Sequence, residues 1–268
     1  MAGPRDASRP AGVRLEIEGR LARLTIDRPP LNILDIAAFE SMGESIARLA
    51  GDASVDVLVI GSAGDRAFCA GADVADHTTQ RAPRMIEAFH RVARALWSHP
   101  AVSIAAVRGA ALGGGMELAI CCDLVVASET ARFGQPEIRV GCFPPIAAAL
   151  LPAMIGRARA AECILTGRTI PASEAWEMGL VSRVAPEGDF DEALSGLIRE
   201  LMANSGAVMR RAVKAIRSGQ TAAMDRALAV TERIYLNDLL ALDDAREGVE
   251  AFLEKREPRW ISEERPDA

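Results

Sequence analysis

Val102-Ser103-Ile104-Ala105-Ala106-Val107-Arg108-Gly109-Ala110-Ala111-Leu112-Gly113-Gly114-Gly115-Met116-Glu117-Leu118-Ala119-Ile120 decides the reading of this chain, and Phe133-Gly134-Gln135-Pro136-Glu137 completes it. The apolar run Val102 to Val107 reads as a strand that turns through three consecutive glycines into a helix. Such a helix start exposes backbone N–H groups that favour an anion. Glu117 and Glu137 lie in otherwise apolar surroundings. A buried carboxylate is costly unless it is paired, shifted in pKa or used for chemistry, so two of them beside an anion-binding turn mark a candidate site. The plainer reading of each is a helix-start or strand-end carboxylate satisfied by nearby N–H groups.

The chain around this stretch is long enough for a large core. With 268 residues, about half of them hydrophobic, it forms one large domain or one domain with an appendage. A formal net charge of −6 argues against a general nucleic-acid or anionic-membrane surface and leaves room only for a local anion pocket. Residues 1–12 are rich in Pro, Arg and Ala without an apolar core segment, so they read as a flexible lead-in and not as a signal peptide. No run approaches the ~20 apolar residues that span a bilayer. A cytoplasmic protein is expected. The five cysteines, Cys69, Cys121, Cys122, Cys142 and Cys163, show no metal-ligand spacing and read as buried thiols. His77, His90 and His99 have no second ligand at metal spacing, and His90 and His99 read as solvated or capping groups. No metal is expected.

Upstream, Val13 to Ile17 and Leu21 to Ile26 alternate around Glu18-Gly19-Arg20 and predict a β-hairpin. Asp27-Arg28-Pro29-Pro30-Leu31-Asn32 breaks it, and Asn32 or Asp35 can cap a helix with Phe39, Met42, Ile46 and Leu49 on one face. Val55 to Gly61 is a buried strand. The small residues of Phe68-Cys69-Ala70-Gly71-Ala72-Asp73-Val74 let backbone N–H groups approach a ligand, or simply make a tight loop. Arg81 to Trp97 reads as an amphipathic helix stopped by His99-Pro100. Downstream, Cys122 to Ala127 and Ala131 to Phe133 are strand-like, Gly141 to Pro145 is a rigid turn and Ile146 to Ile155 an apolar helix. A further helix starts at Pro171 and ends at Gly179, before a strand over Leu180 to Val184. From Phe190 to Lys255 the pattern is helical. The ladder Met224, Leu228, Tyr235, Leu239 and Leu242 there calls for packing against the core or a partner subunit.

The loop around Gly71 and the turn around Gly114 each offer N–H donors, and two such donors converging on one oxygen make an oxyanion hole. That suits a carbonyl becoming an enolate. Two nearby carboxylates could then divide the proton work between water and carbon.

Phe68 to Asp73, Gly109 to Glu117 and Phe133 to Glu137, with Asp27 to Asn32 near the start and Phe252-Leu253-Glu254-Lys255-Arg256 near the end, resemble the signatures of the crotonase (enoyl-CoA hydratase/isomerase) superfamily. The likeness runs from about Val13 to Trp260. It implies an α/β fold, a spiral of ββα units over 13–198, with a helical trimerisation region over 199–268. It implies an acyl-CoA hydratase that adds water to an enoyl-CoA thioester, with coenzyme A as part of the substrate and no permanently bound cofactor. The N–H groups of Ala72 and Gly114 match the pair that holds the thioester oxygen. Glu117 matches the glutamate that activates water and Glu137 the one that delivers a proton to Cα. Leu31, Ala70, Gly71 and Asp73 match the coenzyme A side. Lys255 matches a position that reaches the nucleotide end, or is a solvated helix-end lysine. A homotrimer or dimer of trimers is implied.

One segment departs from the pattern. Gly141-Cys142-Phe143-Pro144-Pro145 puts a proline where the hydratases carry a glycine N–H near the water. Phe143 and Pro145 could therefore shape a pocket for a bulkier or cyclic acyl group, as in dienoyl-CoA hydratases acting on cyclohexadiene carboxyl-CoA, or the loop has drifted and a bridging water replaces the donor. The same enolate would also serve an isomerase or a C–C hydrolase. A non-catalytic crotonase-like binding protein is the reading from another class.

Overall fold

The computed structural model describes residues 12–260. The expected lead-in therefore lies, apart from Gly12, outside the described residues, as do residues 261–268. The hairpin forms as expected, with β1 (Val13–Glu18) antiparallel to β2 (Leu21–Ile26). Asp35 and not Asn32 caps α1 (Ile36–Ala50), its side chain accepting the Ala38 N–H at 2.9 Å. Asn32, fully buried, instead ties the loop to the next unit by donating to the Ala63 and Ala67 carbonyls at 3.0 and 2.7 Å.

From there the chain repeats one unit three times. A long strand enters a large sheet, a three-residue strand enters a small one, and a helix follows. The long strands are β3 (Val57–Ser62), β5 (Val102–Val107) and β7 (Leu124–Ser128). The short ones are β4 (Ala67–Cys69), β6 (Ala110–Leu112) and β8 (Arg132–Gly134). The helices are α2 (Ala82–Ser98), α3 (Gly114–Ile120) and α4 (Pro145–Ile155). After α5 (Arg157–Thr166), β9 (Thr169–Pro171), α6 (Ala172–Glu177) and β10 (Arg183–Ala185) close both sheets. The large sheet runs β1-β2-β3-β5-β7-β10, parallel from β2 onward. The small one runs β4-β6-β8-β9, and β4, β6 and β8 are parallel. This is the expected spiral of ββα units.

Strand alternation explains why the large sheet is buried on both faces. Leu58, Ile60, Ala105, Val107 and Val125 join the main core with α1 and α2. Val57, Val59, Ile104, Ala106 and Val126 meet Phe190, Leu194, Leu197 and Ile198 of α7 (Phe190–Met202). Helices α8 (Gly206–Ser218), α9 (Thr221–Arg233) and α10 (Asp243–Leu253), with a π-helical turn Ile234–Leu239 between α9 and α10, complete the helical C-terminal region.

Three expectations are corrected. The strand at Val102 to Val107 does not run directly into the glycines, because β6 intervenes and joins the small sheet. The strand after Gly179 begins at Arg183, three residues later than expected, once Leu180 and Val181 have packed into the core. His90 and His99 are not solvated: they are 0 % and 1 % exposed. The apolar face of α2 is wide enough to include His90, whose Nδ1 lies 2.8 Å from Glu232 of α9. His99 takes the position that caps α2, and its Nδ1 accepts the Ala101 N–H at 3.1 Å. The apolar ladder packs on the chain's own core at Leu228 and Tyr235, while Leu242 stays exposed.

Candidate active site

Each short strand of the small sheet ends at one part of the site. Strand β4 delivers Ala70 to Asp73, β6 delivers Gly113 to Gly115, and β8 delivers Gln135 to Glu137. Because these strands are parallel, their carboxyl ends lie side by side and the three loops meet.

Two backbone N–H groups are left over where the first two loops meet. Around Ala72 the Leu34 N–H donates to the Gly71 carbonyl and the Asp73 N–H to the Leu34 carbonyl, so the ladder bypasses the Ala72 N–H. Beside it, the Gly113 N–H donates to Gly134 at 2.8 Å, and Gly114 begins α3, where the first N–H groups of a helix have no partner within it. The two donors are close: a Cβ added to Gly114 would stand 3.3 Å from the Ala72 nitrogen, and one added to Gly71 would stand 3.4 Å from the Gly114 nitrogen. This approach demands Gly115, where a Cβ would lie 2.0 Å from the Cys69 carbonyl oxygen. Gly113, with φ +54°, passes so near Glu137 that a Cβ would meet its Oε1 at 2.6 Å.

Glu117 stands in the first turn of α3 and is 3 % exposed. Its Oε1 accepts the Ala147 N–H at 2.8 Å, and the Ile146 N–H also points at the carboxylate. The Pro144-Pro145 pair explains this arrangement. Pro145 is the first residue of α4, where its missing N–H costs nothing, so the first free donors of the helix are those of Ile146 and Ala147. Burial raises the Glu117 pKa to about 7, against the pull of these N–H groups. Glu137 sits in a 3₁₀ turn over Pro136–Val140, half-buried on the wall facing Glu117. Burial first, and then the neighbouring Glu117 charge, push its pKa well above the ordinary carboxylate range. With its amide oriented to satisfy both ends, buried Gln135 donates to the two Glu137 oxygens at 3.2 and 3.1 Å.

These groups line one cavity of about 390 Å³. Of the residues singled out in the sequence, Glu117, Glu137, Ala72, Gly114, Ala70, Gly71, Phe143 and Pro145 all contribute to its wall. Leu31, Asp73 and Lys255 do not. The Leu31 carbonyl accepts the Ala70 N–H at 2.9 Å and so braces the loop from behind. The Asp73 side chain accepts the Ala75 N–H at 3.0 Å and caps the short helix Val74–His77. Lys255 is exposed with φ +56° in the turn after α10, whereas its neighbours Phe252 and Arg256 reach the cavity. His77, Met85, Phe89, Arg139 and Tyr235 also line it. Met85 and Phe89 lie on the buried face of α2, and nothing in an amphipathic pattern shows that this face ends in the site. Nothing local marks Tyr235, which reaches the cavity only through packing of the C-terminal helices. Among the described residues no group of His, Cys, Asp or Glu could hold a metal ion, and no helix is long and apolar enough to cross a membrane.

Two main-chain donors beside two carboxylates whose pKa values are raised can stabilise an oxyanion and move protons next to it. Comparison with known proteins gives the family. The enoyl-CoA hydratase/isomerase family profile matches residues 16–263. The cyclohexa-1,5-dienecarbonyl-CoA hydratase of Thauera aromatica is 34 % identical over 261 residues, covering 95 % of this chain and 98 % of that one. The crotonyl-CoA hydratase of Syntrophomonas wolfei is 33 % identical, covering 92 % and 97 %. The crystal structure of an enoyl-CoA hydratase from Mycobacterium avium subsp. paratuberculosis K-10 superposes with a TM-score of 0.84 at 31 % identity, covering 93 % and 98 %. The chain belongs to the enoyl-CoA hydratase/isomerase family, and it is an enzyme.

Proposed function

We propose that the chain adds water across the double bond of an enoyl-CoA thioester, with the enolate oxygen held by the N–H groups of Ala72 and Gly114. The observation that carries this reading is the meeting of both donors and both glutamates in one cavity. Water oxygen bonds to Cβ, the π electrons move to the thioester oxygen, and Glu117 takes the water proton. The enolate then collapses, Cα takes a proton from Glu137, and one water has been added. Proton transfer from Glu117 to Glu137 restores the starting state. The site suits this division: Glu117, raised to about 7, is available as a base near neutral pH, and burial with the neighbouring Glu117 charge favours the protonated form of Glu137.

The acyl group favoured is cyclic. Phe143 and Pro145 line the cavity together with the glutamates, and the Thauera aromatica relative is a cyclohexadienecarbonyl-CoA hydratase. Coenzyme A would extend past Ala70 and Gly71, with Leu31 and Asp73 bracing that loop, and Lys255 at the exposed turn offers a point charge to the nucleotide end. Residues 199–268 would form the trimer contacts around the spiral core at 13–198, in a cytoplasmic homotrimer or dimer of trimers. Purified protein should bleach the ultraviolet absorbance of crotonyl-CoA or a cyclic dienoyl-CoA, and product mass should rise by one water. No change with either ester would sink the hydratase reading, and an unchanged mass with a shifted double bond would make it an isomerase.

The raised pKa values carry a pH dependence. The profile of kcat/KM should be a bell whose acid limb, near pH 7, is the ionisation of Glu117 and whose alkaline limb is the loss of the Glu137 proton, each an apparent value of the coupled pair. Stability runs the other way. A carboxyl raised in the folded state stabilises below its ordinary value of 4.5 and loses that contribution as pH climbs through the folded value of about 7. Glu117→Gln, whose side-chain oxygen can still accept the Ala147 N–H, should therefore melt higher than the parent at pH 8 while losing turnover. Equal melting curves across pH 5–8 would contradict the burial argument.

A further inference from the structure

The cavity wall holds a hydroxyl that the reaction above does not use. Tyr235 is 1 % exposed, and its oxygen makes no hydrogen bond of good geometry among the described residues, its polar neighbour being the Cys142 thiol. A buried polar group left unpaired costs about 1–3 kcal/mol and calls for a reason. The residue sits in the π-helical turn Ile234–Leu239, a rare geometry that is frequent at functional sites. That wide turn presses the phenol edge against Phe143, with ring centroids 5.3 Å apart at 63°. The Cys142 thiol beside the hydroxyl is a weak acceptor and is itself turned to the Glu137 carbonyl at 3.5 Å. Burial and the nearby thiol and glutamates favour the protonated phenol, so its O–H is available to donate a hydrogen bond.

In the hydratase reading the attacking water gives one proton to Glu117 and has lone pairs that a donor on the cavity wall can orient. The first turn of α4 cannot serve them, because Pro144 and Pro145 have no N–H and the Ile146 and Ala147 N–H groups are directed at Glu117. Tyr235 lines the cavity together with Glu117, Glu137, Phe143 and Pro145.

We propose that the Tyr235 hydroxyl donates a hydrogen bond to the oxygen that joins Cβ as water and leaves it as hydroxide in the reverse direction. The tyrosine keeps its proton throughout, and Glu117 remains the group that accepts the proton of water. The bond orients the attacking lone pair in hydration and shares the charge of the departing oxygen in dehydration. This inference rests on the hydratase reading.

Tyr235→Phe tests it, with turnover, KM for crotonyl-CoA or the cyclic dienoyl-CoA, and melting temperature measured on the full chain. The expected result is kcat lower by about tenfold, the worth of one hydrogen bond, with KM within about twofold and melting unchanged or higher. Loss of an unsatisfied hydroxyl without a catalytic role would leave kcat within about twofold of the parent, and that result overturns the proposal. A fall in melting temperature with unchanged kcat would equally make Tyr235 a packing residue only. Parent protein inactive on both esters would instead remove the hydratase reading itself, so the two failures are distinguishable.

Discussion

Glu137→Gln should lower turnover by about 10²- to 10⁴-fold, the usual contribution of a positioned proton donor, while leaving affinity for the CoA ester within about twofold. The substitution conserves volume and keeps a hydrogen-bonding partner for Gln135, so the wall of the cavity stands. What is lost is a carboxyl proton. Burial and the Glu117 charge favour the protonated carboxyl of the parent residue, and an amide has no proton to give at comparable acidity. Binding should survive because the donors proposed for the thioester oxygen, Ala72 and Gly114, lie elsewhere on the cavity wall. Calorimetry with a non-reactive acyl-CoA and steady-state rates with the enoyl ester separate the two quantities. Unchanged turnover would remove Glu137 from the reaction.

Gly115→Ala should damage both the fold and the site. Its Cβ would fall 2.0 Å from the Cys69 carbonyl oxygen and 2.7 Å from the carbonyl carbon, and both belong to backbone. No rotamer relieves that contact. Helix α3 must move away from β4, which carries the Gly114 donor away from the Ala72 donor. A destabilisation of about 3 kcal/mol and a loss of at least about 100-fold in kcat are expected together, the first from overpacking and the second from a broken donor pair. Thermal melting and turnover measure them. A variant that melts and turns over like the parent would show that the two segments are not packed as described.

How much of this was legible in the sequence follows from chain distance and element length. Strands β3 and β5 and helices α1 and α2 announce themselves by period and composition, and the glycine run and both glutamates announce the site. The small sheet does not, because strands of three residues such as β4, β6 and β9 are too short to show an alternation. His90 reads as polar on a helix and is buried because Glu232, far along the chain, comes to meet it. Tyr235 reads as one rung of an apolar ladder for a similar reason: only the folded π-helical turn brings it to Phe143. The two prolines were legible as an oddity of the water site. Their effect on Glu117 was not, since it depends on where α4 begins relative to α3.

The donor pair proposed to hold the oxyanion, Ala72 and Gly114, is made of main chain, and this bears on how such a protein diversifies. Substitutions elsewhere in the cavity can exchange carboxylates or reshape the acyl end without touching the donors, whose positions are dictated by two parallel strands and one helix start. On the proposed reading, backbone geometry fixes the charge-stabilising half of the chemistry and side chains alone carry the proton-handling half. New reactions on this scaffold should arise at positions like 117, 137, 143 and 235 long before they arise at 72 or 114.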